Sequence, residues 1–237
     1  TLINVAHSHA AAEVAVSLAR EGQVEALMKG SLHTDELMSE VIDKVTGLRT
    51  ARRISHVFLM DVPTYPRLLF ITDAAVNVAP NLEDKVDIVQ NAIDLALMLK
   101  IADPKVAILA AVETVNIKMQ ATLDAAALCK MADRGQITGG LLDGPLAFDN
   151  AISLVAARTK GIKSAVAGQA DILLVPDIES GNMLAKQLEY LADALTSGIV
   201  LGARVPIVLT SRADSAETRT ASTAVAMVMA HAKRKKA

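Results

Sequence analysis

The sequence predicts an α/β protein with a largely parallel sheet, and three observations carry that expectation. First, 52% of the 237 residues are apolar but only 2% are aromatic. The core must therefore be built from Ala, Val, Leu, Ile and Met, which suits helices packed on strands covered on both faces and argues against an aromatic-rich β-sandwich. Second, helical and strand signals alternate along the chain. Third, the strand segments are short continuous apolar runs, the pattern of strands buried on both faces.

The elements follow in order. Residues 9–20 carry a helical pattern, with Gly22 as its stop. Residues 24–28 form an apolar run that ends at Lys29, Gly30 and Ser31, and a second helix starts at Thr34. Residues 54–60 and 68–72 read as strands. Residues 83–100 form an amphipathic helix, with Val86, Val89, Ile93, Ala96 and Leu97 at spacings of three and four. Residues 105–112 are a buried strand, 122–133 a helix, and 136–142 lead into another strand. A helix over 149–160, a strand over 170–175 and a helix over 182–195 follow. Strands at 199–200 and 205–210 precede a last helix whose N-cap is Ser215. In such sheets ligands gather at loops beyond the carboxyl ends of strands. The loops of interest are 29–34, 72–80, 113–119, 143–150, 176–182 and 210–215.

Composition excludes several function classes. The net charge is −2, and two Tyr, three Phe and no Trp leave no stacking platform for single-stranded nucleic acid. No apolar run reaches the roughly 18–20 residues that a membrane-spanning helix needs, and no signal peptide is visible. The single Cys129 cannot form an internal disulfide, which fits a cytoplasmic protein.

The segment from Pro206 to Ser215 holds the most concentrated chemistry. An apolar strand delivers the Ser211 hydroxyl, the Arg212 guanidinium and the Asp214 carboxylate just before a helix start, where backbone N–H groups favour anions. Arg212 adds a fork suited to phosphate. An ordinary helix cap has the same local pattern. Lys29, Gly30 and Ser31 could cradle phosphate or simply form a turn. Asp143 and Asp149 could hold a metal or orient a substrate, or end one element and cap the next. Asn182, in the loop shaped by Pro176 and Gly181, could touch a ligand or cap a helix. His9 and Glu13 have metal-ligand spacing, but no third ligand lies near them in sequence. Lys233, Arg234, Lys235 and Lys236 complement a helix C-terminus.

Taken together, KGSLHTDEL (29–37), GLRT (47–50), SHVFLMD (55–61), FITDAAVN (70–77), PKVAILAAVETVN (104–116), KMADRGQITGG (130–140), DGPLAFDNA (143–151), VAGQADILLVPDIESGNMLAKQL (166–188) and VPIVLTSRADS (205–215) resemble the phosphate acetyl/butyryltransferase family, across essentially the whole chain. The resemblance looks closer to the butyryltransferase branch, including chains fused to an enoyl-CoA hydratase-like domain. It implies an isocitrate/isopropylmalate dehydrogenase-like fold of two α/β domains with an interdomain cleft. Residues 1–78 with 199–237 would form domain I and 79–198 domain II. Family members carry a further strand–helix region ahead of the point where this sequence begins, so domain I is expected to be incomplete here.

The resemblance further implies a homodimer or higher homo-oligomer that acts on coenzyme A and phosphate. It needs no bound cofactor or metal, since the coenzyme A thioester is a substrate. Ser211 and Arg212 match the family's catalytic Ser-Arg pair. In the acetyltransferase branch a catalytic Asp lies seven residues after that Ser; here the position is Thr218, beside Glu217. Asp214 is therefore the expected base, with Glu217 second. Gly30, Ser31, Arg53, Asp143, Gly144 and Asn182 are the expected substrate-binding residues. Two other readings stay open: a metal- and NAD(P)-dependent decarboxylating dehydrogenase of the same fold, and a non-catalytic coenzyme A- or phosphate-binding module.

Overall fold

The structure is a computed structural model describing residues 1–209, 211 and 214–235. The chain forms two compact units, residues 1–54 with 197–237 and residues 55–196.

In the first unit, α1 (Ser8–Arg20) buries Ala12, Val16 and Ala19, and the His7 side chain caps it by accepting from the Ala10 N–H. Strand β1 (Leu27–Met28) is followed by α2 (Thr34–Ile42), which buries Leu37, Met38 and Val41. After the middle unit the chain returns through β7 (Leu195–Leu201), β8 (Ile207–Val208) and α8 (Ala216–Arg234). Strand β8 lies between β7 and β1, parallel to β1 with Leu27 opposite Ile207 and Met28 opposite Val208, and antiparallel to β7. The Ser222 hydroxyl, fully buried, donates to the Thr218 carbonyl at 2.8 Å and accepts the Gly198 N–H at 3.0 Å, fixing α8 on β7.

The second unit holds β2 (Ser55–Asp61), β3 (Leu69–Thr72), α3 (Leu82–Met98), β4 (Lys105–Leu109), α4 (Gln120–Asp133), β5 (Leu141–Leu146), α5 (Phe148–Ile152), α6 (Leu154–Thr159), β6 (Ile172–Leu174) and α7 (Ile178–Leu191). Its strands run in the order β2, β3, β6, β4, β5. Strands β3, β6, β4 and β5 are mutually parallel, and β2 is antiparallel to β3. Every residue of β3 and β6 is buried, which explains why these strands read as unbroken apolar runs. Among the described residues, no helix is long and apolar enough to cross a membrane.

The α/β alternation stands, with several local corrections. The division expected at 78/79 falls at 54/55, and the return falls at 196/197. The reason is pairing: β2 pairs with β3 and β3 pairs with β6, so both belong to the sheet of the second unit. The helix expected over 149–160 is two helices, broken at Ser153, whose side chain caps the second by accepting the Ala156 N–H at 3.2 Å. The helix expected from Asn182 begins at Ile178, because Asp177 accepts the Ser180 N–H at 2.8 Å. Residues 143–146 lie inside β5 and not in a loop.

Candidate active site

Parallel pairing of β1 with β8 sends the two strands out of the same end of their sheet. The Leu27 N–H donates to the Pro206 carbonyl and the Lys29 N–H to the Val208 carbonyl, both at 3.0 Å. The turn holding Gly30 and Ser31 therefore emerges beside the segment that runs on to Ser211. Two loops from separate parts of the sequence therefore follow neighbouring strands.

In the loop after β8, Ser211 is exposed and Asp214 half-buried. The Ser211 N–H donates to Asp214 Oδ2 at 2.7 Å, and the Asp214 N–H donates to the Ser211 carbonyl at 3.2 Å. Asp214 thus closes the turn on Ser211. The Ser211 N–H is committed to that turn. Arg212 lies outside the described residues. Ser215 caps α8 by accepting the Thr218 N–H at 3.1 Å, as its sequence position indicated. Thr218 is buried and Glu217 exposed on the first turn of α8.

In the turn after β1, Gly30 and Ser31 are exposed, while the Lys29 between them and the strand is buried. Its Nζ donates to the Gly30 carbonyl at 3.2 Å and to the Leu32 carbonyl at 3.1 Å. Sequence reading named Lys29 with Gly30 and Ser31 as a possible phosphate cradle, but nothing in it announced that the lysine is buried, since a lysine beside a glycine normally reads as solvated surface. Arg53 is exposed in the same unit.

Asp143, Gly144 and Asn182 belong to the second unit. Asp143 is half-buried in β5, and its Oδ1 accepts the Gly144 N–H at 2.8 Å. A Cβ at Gly144 would lie 2.8 Å from both the Cβ and the carbonyl oxygen of Ile108, and 3.2 Å from Ala125 Cβ. Close packing of β5 on β4 and α4 leaves no room for a side chain at this position. Asn182 is exposed on the first turns of α7, where its Nδ2 donates to the Ala74 carbonyl at 3.3 Å. Beside it, a Cβ at Gly181 would lie 2.9 Å from the Asp73 carbonyl, so α7 approaches residues 73 and 74 too closely for a side chain.

The Asp143–Asp149 metal reading finds no second observation. Asp149 Oδ2 lies 3.3 Å from Lys160 Nζ, and among the described residues no group of three His, Cys, Asp or Glu is placed to hold a metal. His9 faces Glu36 at 3.6 Å. Lys233 donates to the Ala203 and Arg204 carbonyls at 3.2 and 2.9 Å, tying the C-terminal helix down.

The second unit also holds buried polar groups that the sequence did not announce. Asp73 is buried at the carboxyl end of β3, where Oδ1 accepts the N–H groups of Ala75 and Val76 at 2.9 and 3.0 Å. Its Oδ2 accepts the His56 and Asn77 N–H groups, both at 3.2 Å. Burial of the His56 ring pushes its pKa down to about 4, against an upward pull from Asp73. Lys85 of α3 and Asp124 of α4 form an ion pair at 2.6 Å with both side chains 6% exposed. Cys129 sits under β5 with its thiol raised to about 12, chiefly by burial, and such a thiol is a poor nucleophile.

Comparison with known proteins follows the same line. The sequence profile of the phosphate acetyl/butaryl transferase family matches residues 5–227. A phosphate acetyltransferase of Rhizobium meliloti is 66% identical over 98% of this chain and 74% of its own length. One of Rickettsia felis is 66% identical over 95% of this chain, which spans just 65% of that relative. A phosphate butyryltransferase of Clostridium acetobutylicum is 47% identical over 97% of this chain and 76% of its own length. Relatives of both names, acetyltransferase and butyryltransferase, thus match this chain over nearly its whole length. Among solved structures, a branched-chain phosphotransacylase from Enterococcus faecalis superposes with a TM-score of 0.89 at 35% identity, covering 97% of this chain and 82% of that one. A putative 4-hydroxythreonine-4-phosphate dehydrogenase from Salmonella typhimurium shares the fold alone, with a TM-score of 0.53 at 13% identity over 93% of this chain and 69% of its own. With its profile matched almost from end to end and two thirds of its residues shared with named members, this chain belongs to the phosphate acetyl/butyryl transferase family.

Proposed function

We propose that this chain is a phosphate acyltransferase that moves a short acyl group, acetyl, propionyl or butyryl, between coenzyme A and inorganic phosphate. The observation that carries the reading is the family match over residues 5–227. The parallel pairing of β1 with β8, the strands that lead to Gly30–Ser31 and to Ser211, supports that reading. The fold is of the isocitrate/isopropylmalate dehydrogenase type, in keeping with the dehydrogenase likeness.

Both substrates bind before either reacts. In the thioester-forming direction, Asp214 takes the proton of the coenzyme A thiol, since only the thiolate is a strong nucleophile. One oxygen of Asp214 holds the Ser211 N–H, so the other receives the proton. The thiolate sulfur attacks the acyl carbonyl carbon. The Ser211 hydroxyl donates to the oxygen as it gains charge. The intermediate then collapses, the carbon–oxygen bond to phosphate breaks, and phosphate leaves against Arg212 and the Gly30–Ser31 turn. The reverse direction runs through the same steps, with phosphate oxygen as nucleophile and the thiol reprotonated by Asp214. Arg53 supplies a further positive charge for the phosphates of the substrates.

The test is phosphate-dependent thiol release from acetyl-, propionyl- and butyryl-CoA, with Arg212→Ala alongside. The expected result is release that requires phosphate, and in the variant a rise in the phosphate KM of about a hundredfold, the usual worth of a charge-assisted pair, with a smaller change for the thioester. Thiol release indifferent to phosphate would overturn the reading.

A further inference from the structure

We propose that Lys29 is a positioning residue for the phosphate, acting through Ser31; the inference rests on the acyl-transfer reading above and adds a residue to it. Lys29 is 5% exposed, although Met28 before it and Gly30 and Ser31 after it are all exposed. Burying an ammonium is costly unless acceptors surround it. Here the acceptors are main-chain carbonyls of its own turn, Gly30 at 3.2 Å and Leu32 at 3.1 Å. Closing a turn needs no buried cation; glycine and a polar side chain suffice.

Peptide geometry supplies the consequence. In a trans peptide the C=O of one residue and the N–H of the next point in opposite directions. With the Gly30 carbonyl drawn inward onto Lys29, the Ser31 N–H is turned outward. Among the described residues neither the Ser31 N–H nor its hydroxyl has a hydrogen-bond partner. An outward main-chain donor, with the exposed Ser31 hydroxyl on the same residue, therefore sits beside a fixed positive charge. That arrangement selects a small oxyanion. The register sets the neighbourhood: the Lys29 N–H is bonded to the Val208 carbonyl at 3.0 Å, three residues before Ser211. The lysine keeps the main-chain donor aimed and adds charge beside it, without touching the phosphate.

The decisive variants are Lys29→Met, which keeps length and loses charge, Lys29→Arg and Ser31→Ala. Each is measured for phosphate KM, acyl-CoA KM, kcat, and the rise in Tm on adding inorganic phosphate alone. Lys29→Met is expected to raise the phosphate KM at least about tenfold, equivalent to about 1.4 kcal/mol, with the acyl-CoA KM within about twofold and the phosphate-induced Tm rise lost. Lys29→Arg restores part of the affinity, and Ser31→Ala shifts it in the same direction by less. If phosphate KM and the Tm rise are unchanged in folded Lys29→Met, or if both KM values climb together, Lys29 is a structural staple and the proposal falls. Should Lys29→Met fail to fold, Ser31→Pro decides: it removes the main-chain N–H that Lys29 aims, which Ser31→Ala keeps, and an unchanged phosphate KM in folded Ser31→Pro overturns the proposal. If the parent protein transfers no acyl group, the acyl-transfer reading fails, and the phosphate-induced Tm rise still judges Lys29 by itself.

Discussion

The main-chain N–H of Ser211 donates to Oδ2 of Asp214 at 2.7 Å. One carboxylate thus shapes the turn that presents the Ser211 hydroxyl and also supplies the proposed base. Asp214→Asn keeps an oxygen acceptor for that N–H but removes the basic carboxylate. It is expected to lower kcat by about 10²–10⁴, the range for loss of a general base, with Tm nearly unchanged. Asp214→Ala should lose both turn and base. Full activity in Asp214→Asn, measured by thiol release, would move the base to Glu217.

Gly144 separates packing from binding. A Cβ there meets Ile108 at 2.8 Å, so Gly144→Ala is expected to cost about 1–3 kcal/mol of stability by overpacking. Urea denaturation measures this, and KM values taken on the folded fraction should not change. A selective rise in either KM at unchanged stability would restore Gly144 to the substrate site.

The Lys85–Asp124 pair is buried from both sides. Lys85→Met leaves Asp124 as an uncompensated buried charge and should cost about 3–5 kcal/mol. Adding Asp124→Leu removes the stranded charge and should recover most of the loss. Chemical denaturation of the two single variants and the double variant checks the coupling.

His56 makes a pH prediction. Its folded pKa, near 4, lies below the ordinary 6.5 because the neutral ring is buried. The unfolded chain therefore binds the proton first. The ring's contribution to stability is fully present above pH 6.5 and is lost as pH falls from 6.5 through about 4. The full loss is about 3 kcal/mol. Stability measured against pH for the parent and His56→Gln should show a steeper acid slope in the parent; parallel curves would exclude the ring as the cause.

By itself the sequence determined the α/β class, the order of most elements, the Ser215 cap of the last helix and the identity of the Ser211 loop. These are local matters. Apolar period reports which side of an element is buried, and a cap is a side chain bonded to a backbone group three residues away. Tertiary structure decided the rest. It put Asp143 and Gly144 inside β5, because close packing of Gly144 against Ala125 and Ile108 is made across 19 and 36 residues of chain. It moved residues 55–78 into the second unit, because strand partners are chosen by pairing and not by sequence distance. It buried Lys29 and set its ammonium on the Gly30 and Leu32 carbonyls, though nothing in the letters KGS distinguishes a solvated lysine from a buried one. The opening segment, Ser211 to Ser215, could be recognised from its residues, but the neighbour it works beside is set by the parallel register of β1 and β8, strands some 180 residues apart.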